Sequence, residues 1–233
     1  MSTDFASVAR APGVRPRYSS VELLVVLVVF FGLTPFIEDM PRGDLIEALA
    51  MSIVLISAML AVRRRRETLL VGLGLVVPAL VSRWLAQLYP HSVPSHIHLA
   101  FGLLFVAFVV LHQLRFIIQA NSVNAEILCA GLSGYLMLGI LWALGYLLVA
   151  LVSPAAFSFG NSKEKVMGGF DAFYFSFVTL STVGFGDVTP ISKVARTMAV
   201  MEAVSGTFYV TVLIARLVAM YSPVKDSSQP PSN

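Results

Sequence analysis

The stretch STVGFGDVTP, residues 181–190, lies between two apolar segments and decides how the rest of the chain is read. Two glycines two residues apart, a threonine, a valine and an aromatic ring do not make a strand that a soluble core would bury. The segment before it, GGFDAFYFSFVTL (168–180), is apolar and aromatic yet too short to cross the roughly 30 Å of hydrocarbon in a bilayer. It therefore predicts a re-entrant half-helix. Irregular backbone at membrane depth is tolerated only where protein buries it or where it lines a water-filled cavity, so residues 182–186 are expected to line something wet. A half-helix ending near Ser181 aims the negative end of its dipole at the middle of the membrane, where a cation is stabilised.

The composition requires a membrane. Of 233 residues, 57% are hydrophobic and 12% charged, against about 25% charged in soluble domains. Apolar stretches of spanning length fall at 20–37, 45–62, 68–88, 99–118, 125–152 and 195–221, giving six predicted crossings. The first is read as an uncleaved span, because polar and basic residues precede it and no small-x-small cleavage site follows. The single cysteine, Cys129, sits in an apolar run and is read as a packing residue. A net charge of +3 does not point to nucleic acid, since the basic residues flank spans as topology signals do.

Arginine and lysine fix the expected orientation. Arg10, Arg15, Arg17, the run Arg63 to Arg66, Arg115, Arg216 and Lys225 share one side of a six-span chain; EDMPRGD (38–44), the 88–98 connection and the loop from Ser153 to Gly168 share the other. Both termini are expected in the cytoplasm of a multi-pass plasma-membrane protein, with a bacterial inner membrane the expected setting. The four-arginine run reads as a topology anchor, with anionic-lipid binding the alternative. The tail after Met220, Pro/Ser-rich and polar, is expected to be disordered.

An ion crossing a membrane must exchange its water shell for other oxygens. A strand whose carbonyls all face one axis supplies them, and glycine permits the alternating left-handed backbone this needs. Gly184 and Gly186 meet that requirement; Thr182 adds a hydroxyl below the carbonyls of Thr182, Val183, Gly184 and Phe185, and the Val183 and Phe185 side chains are expected to pack away from the axis. At this point the sequence resembles the pore of potassium channels, whose filters are built from four TVGYG loops; here the motif is TVGFGD, with Phe185 in place of tyrosine. The resemblance covers about residues 125–221: outer helix, aromatic pore helix, filter and inner helix. It implies an all-α membrane protein of six transmembrane helices with a re-entrant pore helix and selectivity filter, K+ held by Thr182, Val183, Gly184, Phe185 and Gly186, and no other cofactor. One motif per chain implies a homotetramer, because fourfold symmetry closes the pore. Membrane lipids and K+ are the remaining expected partners.

The resemblance also suggests supporting residues. Tyr174 stands where relatives often carry a tryptophan that bonds the filter aspartate, so its hydroxyl is the expected donor to Asp187; a solvated Asp187 that concentrates cations is the alternative. Val178 replaces a glutamate found in some relatives. Gly206, twenty residues after Gly186, matches the spacing of an inner-helix hinge, with a packing glycine equally open. Glu202 is an intramembrane carboxylate and hence a functional residue by default; it is expected to brace the pore helix through Ser181 or Thr179, to face the cavity, or to remain protonated. Thr211 and Ala215 are expected near a cytoplasmic gate.

The expected organisation is a cytoplasmic segment (1–19), a voltage-sensor-like four-helix domain (20–120), a pore domain (121–221) and a tail (222–233). A voltage sensor repeats arginine every third residue, because each charge moved through 100 mV contributes about 2.3 kcal/mol; the fourth span carries Arg115 alone. Classical voltage gating is therefore not expected. His112 is read as a hydrogen-bonded helix residue, with a pH-sensitive group the alternative; His91, His96 and His98 share an outside loop, where pH or metal sensing is the less favoured reading. The competing readings are a nonselective cation channel, a potassium-transporter subunit, which the single double-glycine motif disfavours, and a receptor whose first four helices bind a ligand or lipid. No nucleophile, metal cluster or phosphate loop suggests an enzyme.

Overall fold

The computed structural model describes residues 19–37, 40–62, 66–89, 95–120, 124–160 and 166–221. Arg10, Arg15, Arg17, Arg63 to Arg65, His91, Lys225 and the 222–233 tail lie outside the described residues. Among the described residues, seven α-helices follow in order: α1 Ser19–Ile37, α2 Gly43–Val62, α3 Arg66–Leu88, α4 Ser95–Ile118, α5 Ala125–Val152, α6 Gly169–Leu180 and α7 Lys193–Tyr221. All except α6 are long and apolar enough to cross a membrane. The 12 residues of α6 span only about 18 Å at 1.5 Å per residue, so the half-helix length expected from sequence is the length observed.

The helices start where local chemistry predicts. Asn124 caps α5, its side-chain oxygen accepting the Ile127 N–H at 2.9 Å, which satisfies one of the orphan donors of a first turn. At α6 the Asp171 carboxylate accepts the Gly168 N–H at 3.2 Å, and its charge sits at the positive end of the helix dipole.

The centre of the molecule is α5, which packs against α1, α4, α6 and α7. Lipid is as apolar as leucine, so membrane helices associate through close packing at small residues rather than through hydrophobic burial. Along α5 the small residues Gly131, Gly134, Gly139 and Gly145 receive Leu213, Tyr209, Phe177 and Met198 respectively. A Cβ on Gly139 would fall into the Phe177 ring. Polar contacts fix the register: the Trp142 indole N–H donates to Ser205 Oγ at 3.1 Å and the Tyr209 hydroxyl to the Gly131 carbonyl at 2.9 Å.

Of the first four helices, α1 and α4 pack against α5 of the same chain. Phe31 of α1 meets Phe173 and Phe177 of α6, both at ring-centroid distances of 4.6 Å in edge contacts, a geometry that adds to area burial. Near the other end of α7, Arg216 donates to the Ala120 carbonyl at 2.5 Å.

The connection after α5 contains a feature not visible in the sequence. A short 3-10 turn, Pro154–Ala156, leads into strand β1, Phe157–Phe159, which pairs antiparallel with β2, Val188–Pro190, in the register Phe157 with Pro190, Ser158 with Thr189 and Phe159 with Val188. The Gly160 N–H donates to the Asp187 carbonyl at 3.0 Å and the Ile191 N–H to the Ala156 carbonyl at 2.7 Å. The backbone after Asp187 is therefore stitched to the segment that follows α5.

Candidate functional site

The last turn of α6 does not fray. The Thr182 N–H bonds the Thr179 carbonyl at 2.9 Å, and the Val178 carbonyl accepts from both Val183 at 3.0 Å and Gly184 at 3.3 Å. From there the chain alternates in handedness: Thr182, Gly184 and Gly186 have φ of 60°, 59° and 79°. Positive φ at every second residue is the backbone in which consecutive carbonyls face one line, and glycine adopts it without steric cost. Sequence reasoning assigned this conformation to the two glycines; the structure adds Thr182. A β-branched residue in the left-handed region is an outlier that costs about 1–3 kcal/mol and persists only where its surroundings impose it. Such strain clusters at functional sites.

The strip has two faces. Val183 and Phe185 line a cleft together with Phe31, Tyr174, Val178 and Ser181, and the Phe185 ring stacks on Tyr174 at 6.5 Å with an interplanar angle of 12°. Thr182 faces the other way, onto a concavity shared with Ala203, Val204, Thr207, Phe208 and Thr211 of α7. Thr211 thus lies on the same face as the motif, whereas Ala215 is an exposed residue further along the helix. Thr207 was not singled out from the sequence; its place one turn before Thr211 was the available signal.

The Tyr174 hydroxyl donates to Asp187 Oδ2 at 2.7 Å, and Asp187 Oδ1 accepts the Val188 N–H at 3.0 Å. The tyrosine hydrogen bond, supplemented by the backbone N–H, holds the Asp187 carboxyl below the usual carboxylate range. A lowered carboxyl value stabilises the fold above that range, and the contribution disappears as pH falls through the folded-state value. Both groups are solvent-accessible, so the effect is screened and small. Tyr174→Phe is expected to move the onset of acid unfolding, followed by circular dichroism, to higher pH than in the unsubstituted chain; an unchanged onset would show that the hydroxyl leaves Asp187 unaffected.

Two sequence expectations for bracing are corrected. Ser181 does not meet Glu202; its hydroxyl donates back to the Phe177 carbonyl at 2.6 Å within α6, the usual satisfaction of a serine at a helix end. Thr179 is not the partner either. Glu202, fully buried on α7, meets Ser176 Oγ at 2.5 Å through Oε1 and the Tyr146 hydroxyl at 2.5 Å through Oε2. Ser176 also donates to the Gly139 carbonyl at 2.8 Å. Ser176 and Tyr146 each carry one hydroxyl hydrogen for these three oxygen–oxygen contacts, so either Ser176 shares its hydrogen between two acceptors or a protonated carboxyl supplies a third. The carboxyl thereby joins α5, α6 and α7, and it is buried rather than facing the cavity. Ser181 is five positions beyond Ser176, so at 3.6 residues per turn it lies on a different face from the actual partner.

Gly206 is buried where α7 crosses the end of α6. A Cβ there would collide with the Leu180 carbonyl oxygen and lie 2.8 Å from Leu180 Cδ1. The structure therefore shows a packing requirement at this glycine. Elsewhere, Arg115 is in the last turn of α4, His112 stacks on Phe108, and Cys129 is half-buried and not in a disulfide. No group of three or more His, Cys, Asp or Glu placed to hold a metal occurs among the described residues.

Comparison with known proteins places this geometry in context. Residues 133–222 match a protein-family model described as ion channel. The chain is 40% identical over 53 residues to the voltage-gated potassium channel Kch of Escherichia coli (strain K12), covering 23% of this chain and 12% of that protein. It is 31% identical over 84 residues to two-pore potassium channel 4 of Arabidopsis thaliana, covering 36% and 30% respectively, and 42% identical over 55 residues to two-pore potassium channel 1 of the same plant, covering 24% and 15%. The chain thus spans less than a third of the length of each of these relatives. No solved structure matches it.

Proposed function

We propose that the protein is a potassium-selective channel that conducts passively through a homotetrameric pore, a reading supported by the match of residues 133–222 to the ion-channel family model and by the chain's similarity to potassium channels. The observation that carries this reading is the alternation of positive φ at Thr182, Gly184 and Gly186 at the end of a helix too short to cross the membrane. In the proposed pore the carbonyls of Thr182, Val183, Gly184 and Phe185 replace the hydration shell of K+, and the α6 dipole favours the ion. Asp187, held by Tyr174, fixes the outer end.

Assembly of four copies is supported by what one chain leaves uncovered. Half of the α5 spanning window is buried inside the chain but only 17% of the α7 window, and residues 181 to 187 are all exposed. A strained strip left in water would gain nothing from its strain; three further copies around a fourfold axis cover it. The single arginine in the last turn of α4 supports opening by a stimulus other than classical voltage sensing. The expected setting is a plasma membrane with both termini in the cytoplasm.

The test is the reversal potential of the purified protein in planar bilayers under a K+ gradient opposed by Na+. The unsubstituted chain is expected to reverse near the K+ equilibrium potential. Gly184→Ala puts a side chain at φ +59°, a strained conformation, and is expected to abolish selectivity or current. Equal permeability to Na+ and K+ in the unsubstituted chain would leave a nonselective cation channel in place of this reading.

A further inference from the structure

Away from the motif, a cleft of about 480 Å³ lies where α1, α2 and α3 meet α5 and the start of α6. Its size falls within the roughly 300–1,000 Å³ of small-molecule sites. Its lining combines two chemistries. Arg42 just before α2, Asp44 and Glu47 in its first turns and Arg83 near the end of α3 contribute two cations and two anions, while Phe30, Leu144 and Phe173 contribute an apolar wall.

The charged groups are incompletely satisfied by one another. Arg83 Nη2 donates to Glu47 Oε1 at 3.3 Å, yet Arg83 Nε is buried and has no hydrogen-bond partner among the described residues. The Arg83 side chain as a whole keeps 20% of its surface exposed, and its planar guanidinium fork suits a phosphate. Asp44 is exposed. An occupant that meets both arginines and both acids must carry an anion and a cation together, and the adjoining aromatic and leucine wall requires an apolar tail. We propose that this cleft binds a zwitterionic phospholipid, its phosphate on Arg42 and Arg83, its ammonium on Asp44 and Glu47, and the upper part of an acyl chain against Phe30, Leu144 and Phe173.

The balanced charge of the quartet selects against a purely anionic headgroup, which would place its net charge beside two carboxylates. The position also gives the lipid something to hold. Gly168 and Gly169 line the same cleft, and a Cβ on Gly169 would stand 3.2 Å from Glu47 Oε2, so a lipid bound here bridges α2, α3 and the first turn of α6.

Binding is read without ion current, so this proposal and the pore reading fail separately. The full chain, purified and delipidated in detergent, is titrated with short-chain phosphatidylethanolamine while native mass spectrometry and the thermal midpoint are followed. Saturable binding that raises the midpoint is expected. Arg83→Gln is expected to weaken it about tenfold, the scale of a lost charge-assisted hydrogen bond, and Asp44→Asn, at an exposed position, to weaken it severalfold. Phosphatidylglycerol with the same chains is expected to bind about tenfold more weakly, and glycerophosphoethanolamine, which lacks chains, not measurably. The proposal is overturned if phosphatidylglycerol or the chain-free headgroup binds as tightly as phosphatidylethanolamine, or if either substitution leaves affinity unchanged. Should Arg83→Gln fail to fold, Asp44→Asn decides by itself.

Discussion

Glu202→Ala is expected to be among the most damaging single changes in α5, α6 and α7, lowering stability by about 2–5 kcal/mol through the cavity it opens and the hydroxyls it strands. The side chain is fully buried, and its two oxygens receive Ser176 and Tyr146. Removing it leaves Tyr146, itself fully buried, without the hydrogen-bond acceptor it has in the structure. Glu202→Gln is the informative control. An amide oxygen accepts from Tyr146 while the amide N–H donates to Ser176, which keeps its bond to the Gly139 carbonyl. A neutral carboxyl predicts that Gln retains most of the thermal midpoint that Ala loses. A Gln variant as unstable as the Ala variant would show that a negative charge, rather than a pair of hydrogen bonds, is what α5, α6 and α7 share.

Gly206→Ala is expected to be nearly as severe, at about 1–3 kcal/mol from overpacking. The added methyl would meet the Leu180 carbonyl and stand 2.8 Å from Leu180 Cδ1. A leucine side chain can rotate, but a backbone carbonyl at the end of a helix can yield only if the helix moves. Displacing Leu180 displaces Thr182, two residues on, from its φ of 60°, so loss of the thermal midpoint and, in the proposed channel, loss of K+ selectivity should appear together. A Gly206→Ala chain that melts normally and keeps its selectivity but opens differently would favour a hinge over a packing role.

Much of the architecture was legible because a membrane simplifies the reading. Length and hydropathy alone separate a helix that spans from one that does not, and the 12 residues of α6 could not be mistaken for a crossing. The hydrogen bond between Tyr174 and Asp187 was expected from the resemblance alone, which puts Tyr174 where relatives often carry a tryptophan bonded to the aspartate. The partner of Glu202 was not. In a soluble helix the apolar stripe reveals which face turns inward; here the spans are apolar on every side, so sequence carries no rotational phase, and Ser176, Thr179 and Ser181 are equally eligible until packing chooses. The strand pair joining Phe157–Phe159 to Val188–Pro190 escaped for another reason. Three-residue strands contain too little alternation to recognise, and their pairing joins segments on either side of α6.

By itself, then, the sequence determined the number and length of the spans and the re-entrant segment, together with the glycine positions that let the backbone after α6 alternate its handedness, because these depend on hydrocarbon thickness and local backbone sterics. Only the tertiary structure decided that Glu202 is locked between Ser176 and Tyr146, that Gly206 is filled by Leu180, and that Thr182 joins the two glycines at positive φ. Each of these depends on how uniformly apolar helices rotate against one another, and that rotation is set by the shapes meeting at α5, where small residues admit large side chains, rather than by any polarity the sequence displays.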